Sequence, residues 1–217
     1  MDQKLFPLIN QHWTAPALDR IMALLSNFEA WILPLCLLVF LFLWRGGFRG
    51  YALVICATLI VAVNDGIISH SLKMLVNRPR PHQTAERVRQ VELAPAVPRF
   101  LGVMEPPKIK MSEPPADLKS VVGHSFPSSH TVNTISVALL VACFYRRFGW
   151  IAFIPAFGVG YSRIYTGAHW PTDVCASIFI GLGATLLLLA FFEWLWGRAG
   201  RRWWPEFLEA HPSLFHS

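Results

Sequence analysis

The chain has 217 residues, of which 54% are hydrophobic and 15% charged, and a formal net charge of +6; an average soluble domain is about 45–50% apolar and about 25% charged. Charges are absent from five runs, 30–44, 50–64, 131–145, 148–162 and 174–192. So many apolar segments exceed the interior that a protein of this size can offer, which argues against disorder, nucleic-acid binding and an ordinary cytosolic enzyme.

In chain order, Leu5, Phe6, Leu8 and Ile9, followed by His12 and Trp13, predict a short amphipathic stretch at the membrane surface, within an interfacial segment 1–20. Met1 to Ile9 lacks the basic start of a signal peptide. A first span is expected over 21–44, with Asn27 and Glu29 near its outer end, where a carboxylate is tolerated better than at mid-bilayer. A tight turn at 45–50 leads to a second span over 51–72. Residues 82–126 hold five acidic and six basic residues and six prolines, so this stretch cannot cross lipid and shows no clear helical or strand period. It is expected to be an extracytoplasmic loop. A third span follows over 128–145, a fourth ends near 165, and a fifth runs over 173–196 into a tail at 197–217. Only 174–192 is long enough alone; the other runs need their flanks to reach about 20 residues. The expectation is one all-α, polytopic membrane bundle over 1–217, with about five membrane helices and a sixth left open.

Arg45, Arg49, Arg146, Arg147, Arg198, Arg201 and Arg202 fall beside the apolar runs. Alternating spans put all seven on one side, which the positive-inside rule reads as cytoplasmic. The four cysteines match no zinc or redox spacing and read as small buried packing residues.

Three polar clusters sit at span ends, all on the outer side. They are Lys73 with Asn77, Arg78, Pro79, Arg80 and Pro81; residues 123–130 with His124 and His130; and Ser162, Arg163, His169 and Asp173. Lys73, Arg80 and Arg163 offer three cations, two of them guanidinium forks suited to phosphate oxygens. Asp173 lies four residues after His169, so both would share a helical face, and a carboxylate on one ring nitrogen would leave the other free to attack. Two histidines with three cations suit phosphoryl transfer better than acyl transfer, where the cations would have no task. Simpler readings compete. Basic residues after a span are commonly headgroup anchors, and a lone histidine at a helix end is commonly a capped surface group. A zinc site from His124, His130, His169 and Asp173 is a further alternative, opposed by the cations crowded around it.

With these residues in place, the chain resembles the type 2 phosphatidic acid phosphatase family of the vanadium haloperoxidase-like superfamily. The matching parts are Lys73 with Arg80-Pro81, then Pro127-Ser128-Ser129-His130, then Ser162-Arg163 with His169 and Asp173. All spacings agree; Ser129 stands where the family pattern has glycine. The resemblance implies His169 as the nucleophile that becomes phosphohistidine, Asp173 as its orienting carboxylate, and His130 as the acid for the leaving oxygen. Lys73, Arg80, Ser128, the Ser129 amide and Arg163 would bind the phosphate, with no cofactor and no metal. Arg78 is a neighbouring candidate, left open because Arg80 is the motif match. The implied activity is removal of a terminal phosphate from a lipid phosphate or diphosphate at the outer face of a bacterial inner membrane. Undecaprenyl diphosphate is the favoured substrate; lipid A 1-phosphate, phosphatidylglycerol phosphate and phosphatidic acid are the alternatives. A lipid phosphotransferase is a rival reading. A transporter is a more distant one, suggested only by Asp65 and His70 inside the second span, where Asp65 reads better as a packing or supporting residue. Expected partners are the lipid phosphate and the bilayer, with neither nucleic acid nor an obligate protein partner. The 82–126 loop, through Lys108 and Lys110, is a candidate reader of the headgroup. A cysteine placed within 100–115 should react with a membrane-impermeant maleimide on intact cells; labelling only after lysis would reverse the orientation.

Overall fold

The structure is a computed structural model, and it describes residues 1–112 and 123–215. Among the described residues the regular structure is helical except for one antiparallel pair of short strands.

Each expected span is helical, with shifted bounds. The first breaks in two: α2 covers Pro16–Ser26 and α3 covers Phe28–Arg45. The break lies at Asn27, whose side-chain oxygen accepts from the Ala30 amide at 3.0 Å, a typical cap at a helix start. The spanning helix thus begins at Phe28, and α2 is a separate element. Only Ala30 is buried along α3, so its apolar surface is suited to lipid. The second span is α4, Gly47–Val63, which winds through a π-helical turn at Asn64–Ser69 into α5, His70–Val76. A short α6, Pro81–Thr84, follows. The later spans are α7, Ser129–Phe144; α8, Phe153–Tyr165; and α9, Pro171–Trp203. By length and composition three helical stretches can cross a membrane unaided, 28–45, 47–84 and 171–203, while α7 is a shorter apolar helix. Helix α9 runs past the expected inner end, so part of the tail is helical, and α10, Pro205–Ala210, follows it.

At the bundle centre α7 and α9 meet closely. A Cβ on Gly181 would lie 2.8 Å from the Val132 carbonyl oxygen, and small residues are what permit such approach in membranes. Ser136 donates to the Gly181 carbonyl at 3.2 Å and accepts from Asn64 at 2.9 Å, which ties in the π-turn. One apolar cluster, including Leu53, Cys56, Ile60, Leu140, Phe144 and Leu189, joins α4, α7 and α9. Of the cysteines only Cys56 is buried; Cys36 and Cys175 are exposed, a correction to the expectation that all four pack inside.

Two other expectations change. Within 82–126 the chain forms β1, Val88–Glu92, paired antiparallel with β2, Lys108–Ser112. Strands of five residues among prolines are too short to display a period. The N-terminal stretch, α1 at Asp2–Pro7 continued by a π-turn at Leu8–His12, is packed into the fold more than laid on a surface. Phe6 and Ile9 join a core with Met22, Val88, Val91, Ile164, Tyr165 and Val174. Asn10 is fully buried. Its amide donates to the carbonyls of Arg89 at 2.9 Å and Tyr165 at 2.8 Å, and its oxygen accepts from the Arg89 amide at 2.9 Å. Arg89 in turn pairs with Asp19, which also accepts from the Tyr165 hydroxyl at 2.6 Å.

Asn10→Ala would strip partners from one buried and two half-buried backbone groups, and an unsatisfied buried group costs about 1–3 kcal/mol. The unfolding midpoint of the detergent-solubilised protein should therefore drop measurably; an unchanged midpoint would mean that this seat does not contribute to stability.

Candidate active site

The three motif segments converge at one end of the bundle, at the end of α5, the start of α7 and the junction of α8 with α9. The arginines of the other end lie at the end of α3, the start of α4, after α7 and late in α9. The loop after α5 is shaped by Asn77, which adopts a left-handed conformation at φ 44°, and whose side chain accepts from the Gly123 amide at 2.9 Å. Gly123 has no substitute here: a Cβ would sit 2.1 Å from the Arg78 carbonyl carbon. The Ser125 amide donates to the Arg78 carbonyl at 2.9 Å, so the first two motif segments are joined through backbone.

His169 is buried, and its Nδ1 lies 2.6 Å from the Ser125 carbonyl oxygen. A carbonyl can only accept, so Nδ1 carries the proton and Nε2 has the lone pair free to attack. Burial, reinforced by the Arg163 and Arg80 guanidiniums, holds the His169 imidazole well below the ordinary histidine range. The expected carboxylate on this ring is absent. Asp173 instead accepts from the Ser125 hydroxyl at 2.5 Å, the Trp170 amide at 3.1 Å and Arg78 Nη1 at 2.5 Å. Its grip on His169 runs through Ser125, because the start of α9 turns the carboxylate back over its own first turn.

Lys73, Arg80 and Arg163 come together around His130. The charges of Arg163, Lys73 and Arg80 act on His130, and those of Arg80 and Arg163 on Lys73. Lys73 Nζ donates to the Ser129 hydroxyl at 2.7 Å, so the serine in the family's glycine position holds the lysine. Ser129 opens α7, where the first amides have no helical acceptor and favour an anion. Ser128 is buried; its amide donates to the Ser177 hydroxyl at 2.8 Å and its hydroxyl accepts from Thr131 at 3.0 Å. Only its hydroxyl proton remains to offer. Arg163 Nη1 bonds the Ser26 carbonyl at 3.0 Å and the Ser26 hydroxyl, while its buried Nε has no partner among the described residues. Beside Arg80 and Arg163 lies a cavity of about 290 Å³, walled also by Ser26, His82, Gln90 and Glu92.

Arg78 does not join these cations: it is clamped between Asp173 and Asp2, at 2.5 Å to each. Ser125, Ser26, Ser177 and Asp2 lie outside the sequence assignment. Ser125 could be suspected from its place among residues 123–130; Asp2, Ser26 and Ser177 carry no motif signal. Asp65 accepts from Asn133 at 3.0 Å and its charge reaches Lys73, a supporting place as expected. Lys108 and Lys110 lie exposed on β2, whereas β1 borders the cavity. Among the described residues no three His, Cys, Asp or Glu side chains are grouped to hold a metal ion.

Fold and site together define a helical membrane protein with a cation-rich, two-histidine pocket at one end of its bundle. The chain belongs to the PAP2 superfamily, whose profile matches residues 50–197. It is similar to the lipid A 4'-phosphatase of Porphyromonas gingivalis, 27% identical over 227 residues that cover 100% of this chain and 82% of the relative. To the undecaprenyl-diphosphatase BcrC of Bacillus subtilis it is 32% identical over 71 residues, 33% of this chain and 37% of the relative. The chain thus spans about a third of the length of the BcrC relatives it matches. The crystal structure of Aquifex aeolicus LpxE superposes with a TM-score of 0.60 at 26% identity, over 87% of this chain and 94% of that one.

The lowered position of His169 has a direct check. At about pH 6 an ordinary histidine is mostly charged, and imidazole ¹⁵N spectra should show His169 neutral with its proton on Nδ1; a charged ring at that pH would overturn the effect assigned to burial and the guanidiniums.

Proposed function

We propose that this protein is a lipid phosphatase that works through a phosphohistidine on His169. The observation that carries the reading is the gathering of Lys73, Arg80 and Arg163 around His130, beside His169, whose Nδ1 is fixed by a carbonyl and on which Arg80 and Arg163 also act. Nε2 of His169 attacks phosphorus, and His130, whose ring has no hydrogen bond to a described residue, gives a proton to the departing lipid oxygen. His130 then takes a proton from the water that releases phosphate. The three cations, the Ser128 hydroxyl and the α7 amides, Ser129's included, compensate the phosphoryl charge, the role that Mg²⁺ has in many phosphoryl-transfer enzymes. Asp173 orients His169 through Ser125. The arginines at the opposite end of the bundle support a cytoplasmic placement of that end, and so a site at the outer leaflet.

The sequence-based preference for undecaprenyl diphosphate has support in the likeness to BcrC. A second reading, a phosphorylated glycolipid of the lipid A kind, is favoured by the cavity beside Arg80 and Arg163. Its walls mix polar residues, among them Ser26, Asn27, Gln90 and Glu92, which suits sugar hydroxyls better than a bare prenyl chain. At about 290 Å³ it lies at the lower end of ligand pockets, about 300–1,000 Å³, a size for one polar ring. The lipid A 4'-phosphatase of Porphyromonas gingivalis and the structure titled LpxE also align over most of the chain.

Purified protein assayed with EDTA against a panel of lipid phosphates tests these statements together. Phosphate should be released without added acceptor lipid, and His169→Ala should abolish release while leaving the unfolding midpoint in place. Activity that survives the substitution, or that EDTA removes, would overturn the mechanism. Faster turnover of lipid A phosphates than of undecaprenyl diphosphate supports the glycolipid reading, and the reverse order rejects it.

A further inference from the structure

We infer that Asp2 is a positioning residue for His169, acting through Arg78, Asp173 and Ser125. The inference rests on His169 being the nucleophile. None of the three motif parts contains Asp2, and the N-terminal stretch is predicted from sequence only to lie at the membrane surface.

The chain of contacts is continuous. Asp2 Oδ2 accepts from Arg78 Nη2 at 2.5 Å and from the Thr172 hydroxyl at 2.6 Å, and Oδ1 accepts from the Thr172 amide at 3.0 Å. The other arm of the same guanidinium, Nη1, reaches Asp173 Oδ1 at 2.5 Å and the Thr172 hydroxyl at 2.8 Å. Asp173 Oδ2 then takes the Ser125 hydroxyl, and the Ser125 carbonyl takes Nδ1 of His169. Each link fixes the orientation of the next group.

The physical need is for Arg78 to stay in place. Asp173 is wholly inaccessible to solvent, whereas the Arg78 side chain is 30% exposed. A long guanidinium at that exposure gains entropy and hydration by swinging outward, and that motion would leave a buried carboxylate without its countercharge. Asp2 opposes the motion by holding the second arm of the fork, a geometry that carboxylates match well. The Trp170 ring lies 5.6 Å from the Arg78 guanidinium carbon and donates from Nε1 to the Pro79 carbonyl at 2.9 Å. Phe6, on the same short helix as Asp2, packs against that ring at 5.1 Å. Asp2 also caps the first turn of α9 from outside through the Thr172 amide, so the helix carrying Asp173 and the loop carrying Arg78 are held by one carboxylate.

Asp2→Asn keeps the shape and one acceptor oxygen but removes the charge that retains Arg78. With a lipid phosphate in detergent it should lower kcat by roughly tenfold or more, since small misplacements of reacting groups have effects of that order, and leave KM within about twofold. The ¹⁵N signature of His169 should lose its uniform Nδ1–H tautomer. Asp2→Glu should recover part of the rate. Combining Asp2→Asn with Arg78→Gln should be no worse than Arg78→Gln alone, because both act on one path. An unchanged kcat, a rise in KM alone, multiplying effects in the double variant, or a rate loss with His169 unaltered would each overturn the inference. If Asp2→Asn lowers the yield of folded protein, the tautomer signature and the double-variant comparison are read on the folded fraction. The underlying reading fails separately: it falls if His169→Ala retains activity, whereas an inactive His169→Ala beside a fully active Asp2→Asn rejects only the role of Asp2.

Discussion

A carboxylate with no access to solvent must have its charge and both oxygens satisfied locally, because burying it unpaired would destabilise the fold by several kcal/mol. Asp173 is in that position. Its partners come from three separate stretches: Arg78 after α5, Ser125 before α7, and the Trp170 amide one turn back. Meeting this one requirement brings the first and second motif segments to the start of α9 and leaves the Ser125 carbonyl beside His169. The orientation of the histidine is thus a by-product of satisfying the aspartate.

The neighbouring cations follow the opposite logic. Lys73, Arg80 and Arg163 are brought near one another without an acid among the described residues at hydrogen-bond distance; Asp65 acts on Lys73 through its field. Neutral oxygens hold two of them, Ser129 for Lys73 and Ser26 for Arg163. Mutual repulsion in a region of low dielectric is unfavourable, and an arriving phosphate relieves it. Burial keeps His169 uncharged, and the field of Arg163 and Arg80 reinforces it. Arg80 and Arg163 therefore contribute both to phosphate binding and to the readiness of the nucleophile.

What could be read from the sequence divides along physical lines. His130, His169, Lys73, Arg80 and Arg163 were legible because each stands at a helix end, where spacing within one segment fixes position. Ser125 acts on His169 through its backbone carbonyl, and a carbonyl belongs to every residue, so no side-chain pattern announces it. Asp2 meets Thr172 across 170 positions, a distance over which no local period operates. Asn27 looked like a tolerated polar residue near the outer end of a span, although its short amide suits a helix start well enough to divide that span. Asn10, polar and beside an apolar stretch, gave no sign that it would be fully buried, because its burial depends on the exposed edge of β1 and the end of α8.

The π-turn at Asn64–Ser69 joins two parts of one helix that serve different neighbours. Asn64 reaches Ser136 in the middle of α7, and Lys73 reaches Ser129 at its start. At about 100° per residue, nine steps along a regular helix would place these two side chains half a turn apart. The wider winding of the π-turn takes back part of that rotation and lets both address the same partner. Within this stretch winding sets a compass heading: the same residues wound as a regular helix would turn the ammonium of Lys73 away from the phosphate pocket while every motif residue stayed in the sequence.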